Sequence, residues 1–201
     1  MTRIAVVSAG LGEPSSTHLL ADRLAAAAST ALGATATGPV EVTTAHLRDV
    51  ARDIADNLVA GFPSPALRAV VEDVVGADAL IAVTPTFNAS YSGLFKSFVD
   101  VVEPGALAGK PVLIGATGGS ERHSLVLDHA LRPLFAYLKA IVLPTGVYAA
   151  SADWGAGSGL VERIDRAGAE LADLLVGRAP AAQADPYADV VPFERLLAGG
   201  R

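Results

Sequence analysis

Ala79-Leu80-Ile81-Ala82-Val83-Thr84-Pro85-Thr86-Phe87-Asn88-Ala89-Ser90-Tyr91-Ser92-Gly93-Leu94-Phe95-Lys96 decides the fold. Its first six residues form a short, nearly continuous aliphatic run, the pattern of a strand covered on both faces. Pro85 ends that strand, since proline has no N–H for a ladder. A polar loop with one aromatic follows, and the spacing then predicts a helix over Ser92 to Val101. A buried strand that feeds a helix through a short loop is the unit of a parallel sheet.

The unit repeats in both directions. Upstream, Arg3 to Ser8 reads as a buried strand and Ser16 to Leu32 as a helix with Gly33 as its C-cap. Val40 to Ala45 is a β-branched run. Leu47 to Phe62 is helical in pattern but heavily charged, and Ser64 to Val75 is a helix with Pro65 in its first turn. Downstream, Pro111 to Ala116 is a strand ending in a Gly-Gly turn, and Ser124 to Leu138 a long helix. Ala140 to Leu143 and Gly146 to Ala149 supply a fifth strand broken by Pro144, and Gly159 to Val176 is the last helix. Right-handed crossovers make this series an α/β fold with a five-stranded parallel sheet between helical layers. Residues 1–178 read as one domain. Residues 179–201 read as a tail whose Val190, Val191, Phe193, Leu196 and Leu197 would pack on the domain or on a neighbouring subunit.

Composition narrows the function. The 201 residues suit a single core. At 51% hydrophobic and 18% charged, the chain has the apolar content that a disordered one lacks. A net charge of −6 argues against bulk nucleic-acid binding. There is no cysteine, which excludes disulfides, thiolate-held metals and thiol nucleophiles. Redox chemistry must therefore come from a bound cofactor. No stretch offers the roughly 20 apolar residues of a membrane span. Only Ile4 to Val7 precede Ser8 as an apolar run, too short for a secretory leader. The expectation is a cytoplasmic protein.

Ligands of open parallel sheets bind beyond the carboxyl ends of the strands, and three loops leave such ends with unusual composition. Ser8-Ala9-Gly10-Leu11-Gly12-Glu13-Pro14-Ser15-Ser16-Thr17 opens the first helix. Its glycines, its hydroxyls and the free N–H groups of a helix start form a phosphate cradle without a lysine. It also reads as an ordinary Ser/Thr N-cap. It is neither a Walker loop nor Gly-x-Gly-x-x-Gly, since Ser15 stands in the third glycine's place. Pro85, Thr86, Phe87 and Asn88 suit the edge of a planar heterocycle, or a proline-led strand exit before a capped helix. Thr117-Gly118-Gly119-Ser120 lets backbone N–H groups lie against a flat ring, or is a flexible turn. Arg122 stands beside it, as a phosphate partner or a solvated surface residue. His18, His46, His123 and His129 lack metal-ligand spacing, so no metal is expected, and no Gly-x-Ser-x-Gly elbow is present.

Together, Ser8 to Leu20, Thr84 to Asp100 and Ala116 to Ser120 with His123 to Pro133 resemble the NAD(P)H-dependent FMN reductases of the flavodoxin-like fold. Within that family they are most similar to the branch that supplies reduced flavin to two-component monooxygenases. The resemblance implies a three-layer sandwich with sheet order 2-1-3-4-5. It also implies FMN as cofactor, NADPH or NADH as co-substrate, and hydride transfer from nicotinamide C4 to flavin N5. Ser15 and Thr17, with the Gly10 region, would then hold the FMN phosphate, and Ser8 and Ser16 would be among the FMN-binding residues. Pro85, Thr86, Phe87 and Asn88 would lie along the ring and ribityl chain, and Thr117, Gly118, Gly119 and Ser120 along the pyrimidine side. No side chain is required as acid or base, so no catalytic residue is named. The resemblance further implies a homodimer or homotetramer, a partner monooxygenase, and a π-bulge at His129 in the Ser124–Leu138 helix. Two departures remove positive charge: Gly12 where the family often has arginine, and Asn88 where many members have lysine. Two rival readings stand beside this one. One is a reductase of quinones, azo dyes or chromate that retains its FMN. The other is a flavodoxin-type electron carrier, although such carriers flank the ring with bulky aromatics where this chain has Gly118-Gly119.

Overall fold

The computed structural model describes residues 1–35, 38–155 and 159–177. In chain order the elements are β1 (Thr2–Ser8), α1 (Ser16–Thr35), β2 (Val40–His46), α2 (Ala51–Ala60), α3 (Pro65–Gly76), β3 (Ala79–Phe87), β4 (Ser90–Tyr91), α4 (Gly93–Val101), β5 (Pro111–Gly118), α5 (Arg132–Tyr137), β6 (Ile141–Val142), β7 (Val147–Ala150) and α6 (Leu160–Val176). The tail expected over residues 179–201 lies outside the described residues.

The sheet has seven strands, and its spine runs β2-β1-β3-β5-β6. The expected order 2-1-3-4-5 holds for that spine, but the count of five is corrected. The fifth place is shared by β6 and β7, which both pair in parallel with β5 on either side of the Pro144 break. A further short strand, β4, pairs antiparallel with the end of β3. The layers follow from the two-residue side-chain period of a strand. Ile4, Val6, Ile81, Val83, Leu113 and Val147 face α1 and α6. Ala5, Val7, Leu80, Ala82, Val112 and Ile114 face the layer of α2 to α5.

Four expectations about boundaries are corrected. Gly33 does not cap α1, which runs two residues beyond it. The Ala- and Leu-rich helix carries this glycine at a cost of about 1 kcal/mol. Pro85 does not end β3. It sits near the strand's end opposite Thr117, and Thr86 and Phe87 continue into β4 through a two-residue turn. That turn places Asn88 at φ 49° and Ala89 at φ 68°, the left-handed pair of a tight hairpin. The Gly-Gly pair does not lie wholly beyond its strand, because β5 includes Gly118. The helix expected over Ser124 to Leu138 is regular only over Arg132–Tyr137, and the turn before it, Leu127–Leu131, is the π turn at His129 that the resemblance implied. Arg132 braces this turn, donating to the carbonyls of Leu143 at 2.8 Å and Pro144 at 3.0 Å and pairing with Asp128.

The crossing of α1 and α6 depends on one glycine. A methyl group at Gly168 would stand 2.7 Å from the Ala27 carbonyl carbon and 2.8 Å from the Ala28 nitrogen, backbone atoms that cannot rotate away. A methyl group at Gly33 would meet nothing within 4 Å. In urea denaturation, Gly168→Ala is expected to destabilise by about 1–3 kcal/mol through overpacking. Gly33→Ala is expected to stabilise by up to about 1 kcal/mol.

Candidate functional site

The three strand ends stand level because their strands pair in register. Ser8 pairs with Val83, and Pro85 with Thr117. The Ala9 N–H donates to the Val83 carbonyl at 2.9 Å, which holds the exit of β1 against β3. The side chains of Thr17 and Thr117, both buried, share a hydrogen bond of 2.8 Å between their hydroxyls. This bond ties the start of α1 to the end of β5. The first and third sequence loops are thus joined directly, across a hundred residues of chain.

The first loop closes over a tight corner. Ser15 caps α1, its Oγ accepting from the His18 N–H at 3.3 Å. Any side chain at Gly10 would collide with Ser15 Oγ and approach His18 Nε2 to 3.0 Å. The second loop is the β3–β4 hairpin. Thr84 Oγ1 donates to the Pro85 carbonyl and accepts from the Ser92 N–H, each at 3.0 Å. Ser92 in turn caps α4 by accepting from Phe95 N–H. Phe87 and Asn88 stand exposed at the hairpin tip. The third loop is held by Tyr148 of β7, whose hydroxyl donates to the Ser120 carbonyl at 2.8 Å. A methyl group at Gly118 would collide with that hydroxyl and stand 3.6 Å from Thr86 Cβ, whereas at Gly119 it would meet open space. Ser8, Gly10, Ser15, Thr17, Pro85, Thr86, Thr117, Gly118 and Ser120 are thus linked by these contacts. Ser16, Phe87 and Asn88 lie outward and take no part in them. Arg122 is exposed beside Ser120.

Three residues of this edge escape a reading of the sequence: His18, His46 and Tyr148. The two imidazoles stack with centroids 4.0 Å apart. Burial, and then the neighbouring His46, hold the His18 imidazole below its ordinary pKa, against the opposing pull of the Gly10 backbone, Asp22 and Asp49. Burial pushes the Tyr148 phenol above its ordinary value, so it stays a neutral donor to Ser120. Neither histidine could be found from local spacing, because 28 residues separate them and only strand register unites them.

A buried polar atom without a partner calls for an explanation, such as a bound water, ion or ligand. Among the described residues four such side-chain atoms have no well-formed hydrogen bond: Ser8 Oγ, His18 Nε2, His46 Nδ1 and Thr86 Oγ1, with the Gly10 backbone drawn up to the His18 ring and the Tyr148 hydroxyl to Thr86. All four belong to the carboxyl ends of β1, β2 and β3 or the first turn of α1. A ligand with phosphate oxygens and a polar ring edge suits them, with the helix start supplying partial positive charge. No group of three or more His, Asp or Glu is placed to hold a metal among the described residues.

A parallel spine in the order β2-β1-β3-β5-β6 between two helical layers defines the flavodoxin-like class. A flavodoxin from the domain Archaea shares this fold at TM-score 0.59 and 14% identity, covering 87% of this chain and 99% of that one. Residues 2–155 match the model of the NADPH-dependent FMN reductase family, and the chain belongs to that family. On that ground it is an NAD(P)H:FMN oxidoreductase. An FMN reductase (NADPH) of Pseudomonas aeruginosa is 40% identical over 152 residues, 76% of this chain and 78% of that protein. An NADH-dependent FMN reductase SfnF of Pseudomonas fluorescens matches to the same identity and extent. An oxidoreductase from Corynebacterium diphtheriae superposes at TM-score 0.86 with 42% identity, covering 89% of this chain and 99% of that structure.

The Thr17–Thr117 bond gives a direct test. Thr17→Val leaves the Thr117 hydroxyl buried without a partner and is expected to cost about 1–3 kcal/mol in chemical denaturation. The double change to valine is expected to cost less than the sum of the single ones, because no orphaned hydroxyl remains.

Proposed function

We propose that this oxidoreductase binds FMN across the three loops and releases it, once reduced, to a partner monooxygenase. In this reading Ser8, Gly10, Ser15, Ser16 and Thr17 hold the phosphate. Pro85, Thr86, Phe87 and Asn88 flank the ring and ribityl chain, and Thr117, Gly118, Gly119 and Ser120 line the pyrimidine edge. The observation that carries the assignment is the cluster of unpartnered buried atoms, Ser8 Oγ, His18 Nε2, His46 Nδ1 and Thr86 Oγ1, at one sheet edge.

When bound, FMN supplies the hydride acceptor. The chain's own work is binding and orientation. The free N–H groups at the start of α1 and the Ser15 and Thr17 hydroxyls donate to phosphate oxygens. Gly10 lets that group come close to the backbone. Thr84 and Ser92 fix the hairpin from beneath, so that Phe87 and Asn88 project from a rigid base. Tyr148 fixes the third loop through the Ser120 carbonyl. The open space at Gly119 leaves room for the nicotinamide to approach.

Release of the reduced flavin draws support from the exposed tips of the first and second loops, which leave the flavin site open to exchange. We extend the reading to a cytoplasmic homodimer or homotetramer. Val59, Phe62 and Tyr137 are large apolar side chains at 92%, 69% and 85% exposure, available for such contacts. No helix among the described residues is long and apolar enough to cross a membrane.

The test is NADPH and NADH oxidation by purified protein across an FMN titration, with an added flavin-dependent monooxygenase as acceptor. The expected result is saturable, FMN-dependent oxidation coupled to product formation by the monooxygenase. Oxidation that never reaches the monooxygenase, with FMN co-eluting in gel filtration, would replace release by a flavin-retaining reductase. Gly10→Ala is expected to weaken FMN binding about tenfold or more, a loss of about 1.4 kcal/mol, because the new methyl displaces Ser15 and His18.

A further inference from the structure

Three of the four unpartnered buried atoms among the described residues meet at one corner: Ser8 Oγ, His18 Nε2 and His46 Nδ1. Ser8 and His46 are register partners in parallel strands, so their side chains leave the same face of the sheet. That face carries α1, whose first turn contributes His18. The two imidazoles stack at 4.0 Å with an interplanar angle of 33°. His18 also lies against Gly10, the residue whose missing side chain keeps the first loop open. Ser8 is fully buried, and its hydroxyl has no partner among the described residues.

A phosphate needs compensating charge, and the first loop contains no lysine or arginine. Arg48, the cation nearest in sequence to His46, is paired with Glu13 at 2.8 Å. The remaining charged groups facing the pair are Asp22, one turn further along α1, and Asp49, in the turn after β2. Both carboxylates favour an imidazolium at His18, and both repel an uncompensated phosphate, so the proton serves to offset them as well. The helix start supplies only about half a positive charge. The imidazoles are the titratable groups left at this corner to complete the neutralisation.

We propose that the His18–His46 pair is the protonatable contact for the terminal phosphate of the flavin, taking up a proton as that phosphate binds, and that it selects FMN over the unphosphorylated flavin. This rests on the flavin site proposed above and adds a role for two residues outside the three loops. In the free protein, burial and His46 keep His18 neutral near neutral pH. A phosphate dianion alongside it favours the charged ring. The complex then holds one proton more than the free protein over the interval between the two pKa values. Affinity is greatest at the acid side and falls as pH rises through the value of the complex. The phosphate is mostly a dianion above its own second pKa of about 6, so its protonation does not imitate this fall at higher pH.

The experiment is the Kd of FMN and of riboflavin, followed by flavin fluorescence from about pH 6.5 to about pH 8. For wild type, FMN binding is expected to weaken by up to tenfold per pH unit within the interval, the limit for one linked proton, while riboflavin binding stays level. His18→Gln is expected to flatten the FMN profile at its weak end and leave riboflavin binding unchanged, which also reports an intact fold. His18→Arg is expected to restore tight FMN binding with no pH dependence. A flat wild-type FMN profile, a slope shared by riboflavin, or a slope surviving in the His18→Gln/His46→Gln double variant would overturn the role of the imidazoles alone. Absence of binding by both flavins at every pH would instead overturn the flavin site itself, and this inference with it.

Discussion

Everything at the functional edge depends on the register of three parallel strands. β1, β3 and β5 pair so that Ser8 meets Val83 and Pro85 meets Thr117. A one-residue slip would turn every side chain to the other face. It would send Thr117 away from α1 and break its bond to Thr17. It would also push Ile4, Val6, Ile81 and Leu113 out of the layer they share with α1 and α6. The core therefore enforces the site: the aliphatic side chains that set the register also align the three loops.

The loops themselves are braced rather than free. Each is held by polar side chains: Thr84 and Ser92 for the hairpin, Tyr148 for the third loop, and Thr17 with Thr117 between the first and third. These bonds cost little entropy to keep, since most of their groups sit on strands and helix starts already fixed by packing. What remains unpaired is then informative. A fold that satisfies so many buried hydroxyls leaves Ser8, His18, His46 and Thr86 wanting, all at one edge.

Much of this was legible in the sequence. Continuous aliphatic strands such as Ala79 to Val83 and Val112 to Ile114, each followed by a helix, are enough for a parallel sheet between two helical layers. The glycines and hydroxyls at the strand ends pointed to the right edge, and the family resemblance placed a π turn at His129 where one occurs. The misreadings share a cause, which is tertiary context overriding local preference. Proline usually ends a strand, yet Pro85 still pairs with Thr117 of β5, and the chain runs on into the β3–β4 hairpin. Regular α5 begins only at Arg132, whose bonds to the carbonyls of Leu143 and Pro144, distant in sequence, brace the wider turn before it. The pairing of His18 with His46 needed β2 to be placed beside β1, which no local pattern states. Tyr148 was hidden in a strand read only for its hydrophobicity.

The central claim is that three separate loops form one flavin site. Amide hydrogen exchange with and without FMN tests it most directly, because each loop reports for itself. One shared flavin site requires simultaneous added protection at residues 9–18, 86–90 and 117–120, with the remaining helices and strands unchanged. Protection confined to one loop, or appearing instead along the groove between α1 and α6 lined by Ala27, Ala31 and Ile164, would contradict it.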